Sequence, residues 1–190
     1  MTMAQTFGWA QPLRVSVYEL DTQKEALTAL AKLARKSSIH PNVTRAAHQI
    51  TADCPARNDD CELEAVYAAI KKGTDKVPGL ERGVRYVSDA SYADHFTAPS
   101  RLLDLCRQSA CAGDCDDHSA LVASLLASMG WQVGLKVWGP KDGKEFTNVF
   151  AVAKYPKKGP HKHYVALDTT VPRAKVGWEP PPGRTLTVWF

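Results

Sequence analysis

The chain is predicted to form an α+β domain, helices first and an antiparallel sheet afterwards, and three features of its 190 residues carry that reading. Capped stretches with apolar residues at helical spacing fill the first half. A run that is apolar almost all round follows Cys115. Beyond Gly130, short β-branched and aromatic segments alternate with turns.

The central run is the most informative. Gly113-Asp114-Cys115-Asp116-Asp117-His118-Ser119 leads into Ala120 to Met129, and Gly130 follows. Asp114 suits the cap of a helix, and Asp116 and Asp117 suit its positive end. Gly113 admits a sharp turn before it, and Gly130 fits the position just past its end. The pattern predicts a helix from Cys115 to Met129, buried on most sides because only Ser124 and Ser128 interrupt its apolar surface after Ser119. Cys115 then stands in the first turn, where unpaired backbone N–H groups favour the thiolate, the nucleophilic form of the residue. A buried cysteine more often only fills space, but the flanking glycine and three aspartates argue for an activated thiol here.

Residues 1–12 read as an irregular arm, and Leu13, Val15 and Val17, alternating with Arg14 and Ser16, as a short strand. Thr22 opens a helix in which Ala26, Leu27, Leu30, Leu33 and Ala34 form the buried face. Pro41 starts a second, with Val43, Ala46, Ala47 and Ile50 as its stripe and His48 at its surface. Asn58, Asp59 and Asp60 cap a third, whose Leu63, Val66, Tyr67 and Ile70 share a face and which Gly73 ends. Gly83 to Asp89 suits an extended stretch, and Thr97 and Pro99 introduce a short helix carrying Leu102, Leu103 and Leu105. Past Gly130, strands are expected at Trp131 to Trp138, Phe146 to Ala153 and His163 to Asp168. Turns at Lys141-Asp142-Gly143-Lys144 and at Pro156 to Pro160 join them as a meander. Val171 to Gly183 holds four prolines and reads as an extended segment before a last strand-like run, Thr185 to Phe190. The expected organisation is an arm over 1–12, one domain over 13–170 and a proline-rich, aromatic tail over 171–190.

Apolar residues make up 44% of the chain and charged residues 23%, the balance of an ordinary globular protein. The formal charge of +4 is spread along the sequence except at Lys157, Lys158, His161 and Lys162. That one loop is the whole case for nucleic acid, and no aromatic interleaving or recognition helix joins it, so nucleic acid is not an expected partner. No run approaches the ~18 apolar residues needed to span a bilayer, which excludes a membrane role by a helical span. Met1 to Pro12 lacks the order of a signal peptide, so synthesis in a cytoplasm is expected and the sequon Asn42-Val43-Thr44 is accidental.

Five cysteines are present. Cys54 with Cys61, and Cys106 with Cys111, are spaced to close short loops in an oxidising medium and would leave Cys115 free. In a reducing cytosol all five are expected as independent thiols. Their spacing matches no zinc pattern, and neither metal nor cofactor is expected. Gly139 to Glu145 has the flavour of a phosphate loop, but its glycines are one residue too close and Glu145 replaces the required Ser or Thr.

Three blocks resemble a known family. Gly113 to Ser119, Phe146-Thr147-Asn148-Val149-Phe150 and Tyr164-Val165-Ala166-Leu167-Asp168-Thr169-Thr170-Val171 are similar to the motif blocks of transglutaminase-like, papain-like cysteine enzymes. The small versions carried by bacteriophages and prophages are most alike, with further matches at Tyr86-Val87-Ser88-Asp89, at Pro99 with Leu103, and at Gly177-Trp178-Glu179-Pro180-Pro181. The resemblance implies a transglutaminase-core fold in which the Cys115 helix packs on the antiparallel sheet. It also implies Cys115 as nucleophile and Asp168 as the acid that orients a proton carrier. A phage role follows by the same analogy: synthesis in a bacterial cytoplasm, incorporation in a virion, phage structural proteins as partners, and a peptide or amide substrate for an active form.

The histidine block departs from the family pattern, Phe-(Ser or Thr)-His-Val-aromatic, because Asn148 stands where the imidazole belongs. A carboxamide can bridge Cys115 and Asp168 by hydrogen bonds, yet it cannot carry a proton near pH 7. Losing a general acid and base costs ~10²- to 10⁴-fold in rate. One reading is therefore a protein that keeps the fold, has lost most catalysis and serves as a structural or interaction component. The other is an active cysteine peptidase or acyltransferase, working through an acyl-thioester on Cys115 with a substitute histidine. His118, one turn along the helix, is the candidate substitute; His163 falls on the face opposite Asp168, and His161 in a turn. Trp138, Trp178 and Trp189 are open to three readings, as core, cleft wall or interface.

Overall fold

The computed structural model describes residues 22–88, 95–143 and 145–190. The arm over 1–12, the strand expected at Leu13 to Val17, Asp89 of the extended motif and Lys144 of the hairpin turn lie outside them.

Local signals set the helices. Thr22 caps α1 (Gln23–Ser38): its hydroxyl accepts from the Glu25 N–H while the Glu25 carboxylate accepts from the Thr22 N–H. Pro41 opens α2 (Pro41–Ile50), and the Asn58 side chain accepts from Cys61 N–H at the head of α3 (Asp59–Lys71). The extended stretch is shorter than expected, only β1 (Arg85–Tyr86). After α4 (Pro99–Arg107) it acquires a parallel partner, β2 (Ala112–Gly113), immediately before the cysteine turn.

Helix α5 (Cys115–Ser128) is the centre of the fold. Every residue from Asp117 to Leu126 is buried, and the helix contacts α1, α2, α3 and α4 as well as the sheet. Such enclosure requires satisfied polar groups. Ser124 meets the requirement by donating to the Ala120 carbonyl in its own helix and to the Ala34 carbonyl of α1, at 2.7 and 2.9 Å.

The sheet comprises β3 (Val133–Gly139), β4 (Asn148–Tyr155), β5 (His163–Leu167) and β6 (Arg184–Trp189), ordered β5-β4-β3-β6 and antiparallel throughout. Alternation divides its faces. Leu135, Val149, Ala151 and Leu167 join the helical core, whereas Phe150, Val152 and Ala166 form a second cluster with Trp138 and Trp189. The architecture is α+β, as the pattern predicts.

Two further departures from the sequence reading concern the end of the sheet and the cysteines. The stretch read as a tail supplies the fourth strand, because β6 returns to pair with β3 rather than extending the meander. Its proline-rich approach is tied down: Gly177 N–H donates to the Ala166 carbonyl, Trp138 Nε1 donates to the Pro181 carbonyl, and Glu179 pairs with the buried Lys136. The second correction concerns the cysteines, which are not independent thiols. Cys54–Cys61 and Cys106–Cys111 are disulfides, and Cys115 alone is free. Both pairs bracket turns at helix ends, where the chain itself brings the two Cα atoms within 5.6 and 3.9 Å.

Among the described residues no helix is long and apolar enough to cross a membrane. The basic loop at 157–162 is less available than its sequence suggests, since Lys157 pairs with Glu62 at 2.7 Å and is largely buried.

Candidate functional site

Cys115 is delivered to the site by two short devices. The pairing of Tyr86 with Gly113 fixes the chain as it enters the turn, and the Asp114 carboxylate accepts from the N–H groups of Asp116 and Asp117 at 2.9 and 3.2 Å. Gly113 is needed for closeness rather than for an unusual turn, because a Cβ there would lie 2.5 Å from the Cβ of Asp117. Asp117 is itself buried and accepts from Thr97 N–H at 2.8 Å, pinning the segment ahead of α4.

The backbone N–H groups of Val149 and of Cys115 itself favour the ionised form of the thiol. They are outweighed. Burial above all, then the charges of Asp116 and Asp114, push the thiol up to about 12. Aspartates that read in the sequence as marks of an activated cysteine thus oppose the thiolate, and no cation among the described residues offsets them.

Asn148, the first residue of β4, donates from Nδ2 to Asp168 Oδ2 at 2.8 Å. The other oxygen of Asp168 accepts from Thr170 N–H, Thr170 Oγ1 and Val171 N–H at 2.9, 2.8 and 3.2 Å. Buried to 1% exposure just past β5, this carboxylate is fully committed to its neighbours. Asn148, at the amide bonded to Asp168, and Val149, whose N–H favours the Cys115 thiolate, are adjacent in β4, the strand against which α5 packs.

His118 does not pair with Cys115. Its Nδ1 lies 3.0 Å from Thr169 Oγ1, Nε2 is buried without a partner, and no hydrogen bond joins the ring to Cys115. Burial pushes it down to about 4 against the opposing charge of Asp168, which leaves the imidazole neutral at pH 7. Of the other histidines, His163 stacks on Tyr155, His161 meets the Pro156 carbonyl in the turn, His40 caps α2 and His48 is exposed.

Two residues under the site were not legible as functional. Lys71 donates to Tyr67 Oη and to the carbonyls of Val171 and Ala174, bracing the turn that follows Asp168, and Tyr67 donates to Ala174 at 2.6 Å. Burial first, then the Asp168 charge, raises the Tyr67 phenol to about 12. In the sequence Tyr67 counts only as one member of an apolar stripe. The i,i+4 spacing from Tyr67 to Lys71 was the available signal, but their carbonyl partners are remote in the chain.

Beside Asn148 opens a cleft of about 380 Å³ whose walls include Tyr86, Trp138, Trp178 and Arg173. Two of the three tryptophans left open by the sequence are therefore cleft wall, while Trp189 packs with Phe150 on the outer face of the sheet. No set of three or more metal-ligating side chains occurs among the described residues. Chemically, the arrangement offers a neutral thiol, an amide locked to a carboxylate, and a buried neutral imidazole turned to Thr169. No family model matches the chain, and neither a curated protein nor a solved structure matches it significantly.

Proposed function

We infer that this chain is a transglutaminase-like protein of the bacteriophage type whose cysteine centre is disarmed, and that it serves as a structural or interaction component of a phage particle or phage-derived assembly. The phage setting rests on the resemblance of the motif blocks. Loss of catalysis rests on one observation: the residue at the histidine position is Asn148, and its amide is spent on Asp168 at 2.8 Å. Acyl transfer needs a thiolate and a carrier that protonates the leaving amine. The Cys115 thiol, pushed up to about 12, supplies neither by itself. His118, the substitute that an active peptidase or acyltransferase would require, is engaged with Thr169 instead.

Wild type, Cys115→Ala and Asn148→His are to be compared side by side for hydrolysis and aminolysis of peptide and glutamine-amide substrates. The wild type is expected to match Cys115→Ala at background. In Asn148→His, an imidazole beside Asp168 and the sulfur is expected to raise turnover by at least ~10²-fold. Wild-type turnover that disappears in Cys115→Ala would overturn the disarmed reading.

A further inference from the structure

We propose that the cleft beside Asn148 binds an extended peptide segment of a partner protein, one that presents an Asp or Glu carboxylate next to an apolar side chain. The proposal rests on the disarmed reading above, since it takes the site as one that holds a chain without cutting it.

The walls are aromatic and positioned in advance. Trp138 is fixed by its bond to the Pro181 carbonyl at 2.8 Å and by Gly183, where a Cβ would come within 2.4 Å of the indole nitrogen. Tyr86, also in the wall, sits with its ring centre 6.3 Å from that of His118 and keeps 52% of its surface exposed. Aromatic rings held in place at a cleft wall are what apolar side chains of an extended peptide stack against. The volume, about 380 Å³, falls toward the small end of the ~300–1,000 Å³ usual for ligand sites and suits a few side chains.

Charge selects the occupant. Arg173 is the one charged residue lining the cleft among the described residues, and its guanidinium lies 5.9 Å from the Trp178 ring centre. It forms no ion pair with a carboxylate among the described residues. Asp168 is buried with both oxygens accepting hydrogen bonds, and Glu179, between the lining residues Trp178 and Pro180, is paired with Lys136, so neither is that partner. One exposed, planar cation on an aromatic platform matches a single carboxylate in a bidentate fork. A nucleic-acid strand would need a row of cations for successive phosphates, which this cleft lacks.

The test uses the full chain and fluorescein-labelled Ac-Ala-Glu-Phe-Pro-Ala-NH2, with counterparts carrying Gln or Lys in place of Glu, read by anisotropy at low and moderate salt. A labelled ten-residue oligothymidylate serves as the nucleic-acid arm. The Glu peptide is expected to bind about fivefold more tightly than the Gln peptide, as one exposed ion pair allows, and the Lys peptide least. Arg173→Gln should remove the Glu-over-Gln preference without weakening the Gln peptide, and Trp178→Ala should weaken all three; circular dichroism verifies that each variant is folded. Equal binding of the three peptides, no binding of any, a preference that survives Arg173→Gln, or tighter binding of the oligothymidylate would each overturn the proposal. Mass spectrometry of the recovered peptides separates the two readings. Cleavage dependent on Cys115 with acidic selectivity intact refutes only the disarmed centre, and uncut peptides bound without selectivity refute only the acidic occupant.

Discussion

His118 is the residue whose burial has the plainest consequence in solution. In the unfolded chain its imidazole takes up a proton near its ordinary value of 6.5, whereas in the fold burial delays that to about 4. Between those values the unfolded state binds more protons, so each fall in pH through the window favours unfolding; above it the penalty is absent. A gap of this size corresponds to on the order of 3 kcal/mol. Thermal unfolding at pH 7, 5.5 and 4.5 is therefore expected to show wild type losing more stability than His118→Gln, whose amide can keep the Thr169 contact without titrating. A constant difference between the two proteins across that range would show that the ring is not held neutral. Cys115, Asn148 and Asp168 stand in local blocks of the sequence, and the structure joins Asn148 to Asp168 directly. What the sequence could not supply was the balance of charge. Whether Asp114 and Asp116 help or oppose a thiolate depends on how deeply the sulfur is buried and on whether a cation stands opposite, and both are tertiary properties.

Helices were readable at the scale of elements because their start signals are local: Thr22 with Glu25, Pro41, Asn58 and Asp114 each mark an end the structure confirms. Strands β1 and β2 were less so, since a two-residue parallel pair has no period of its own and is defined by a remote partner. The two disulfides belong to the same scale, each fastening a helix end to a loop. Cys106–Cys111 closes the turn after α4, and the Cys111 carbonyl accepts from Arg85 N–H, the residue before the cleft's Tyr86. Protein denatured and alkylated without reductant is expected to carry one adduct, on Cys115, and five after reduction. Each bridge closes a short loop and should contribute about 2 kcal/mol in the chain-entropy account, so reduction should lower the unfolding midpoint. Five adducts without reductant would return the cysteines to the independent thiols that a reducing cytosol suggests.

For the molecule as a whole, the decisive feature is the return of the chain's last strand to the sheet, where it forms the edge beside β3. Alternating residues made Thr185 to Phe190 recognisable as strand-like, but no local signal says which strand it joins, and the preceding prolines suggested a tail. In the fold, β6 runs along β3 from Gly134 opposite Trp189 to Gly139 opposite Arg184; Leu186, Val188 and Phe190 lean on the main core while Trp189 covers the other face. Deleting residues 184–190 would bare the β3 edge, uncover apolar surface on both faces and release the anchor of the Trp138–Pro181 contact at the cleft. Partial burial of those four side chains corresponds to on the order of 4 kcal/mol, a large part of the ~5–15 kcal/mol that holds a domain of this size together. The shortened chain is expected to melt at least 10 °C lower than the full one, if it melts cooperatively at all, and to self-associate through the exposed strand edge in size-exclusion chromatography. A monomer with a cooperative transition within a few degrees of the full chain would show that β6 is an appendage, and that helices and meander alone make the stable unit.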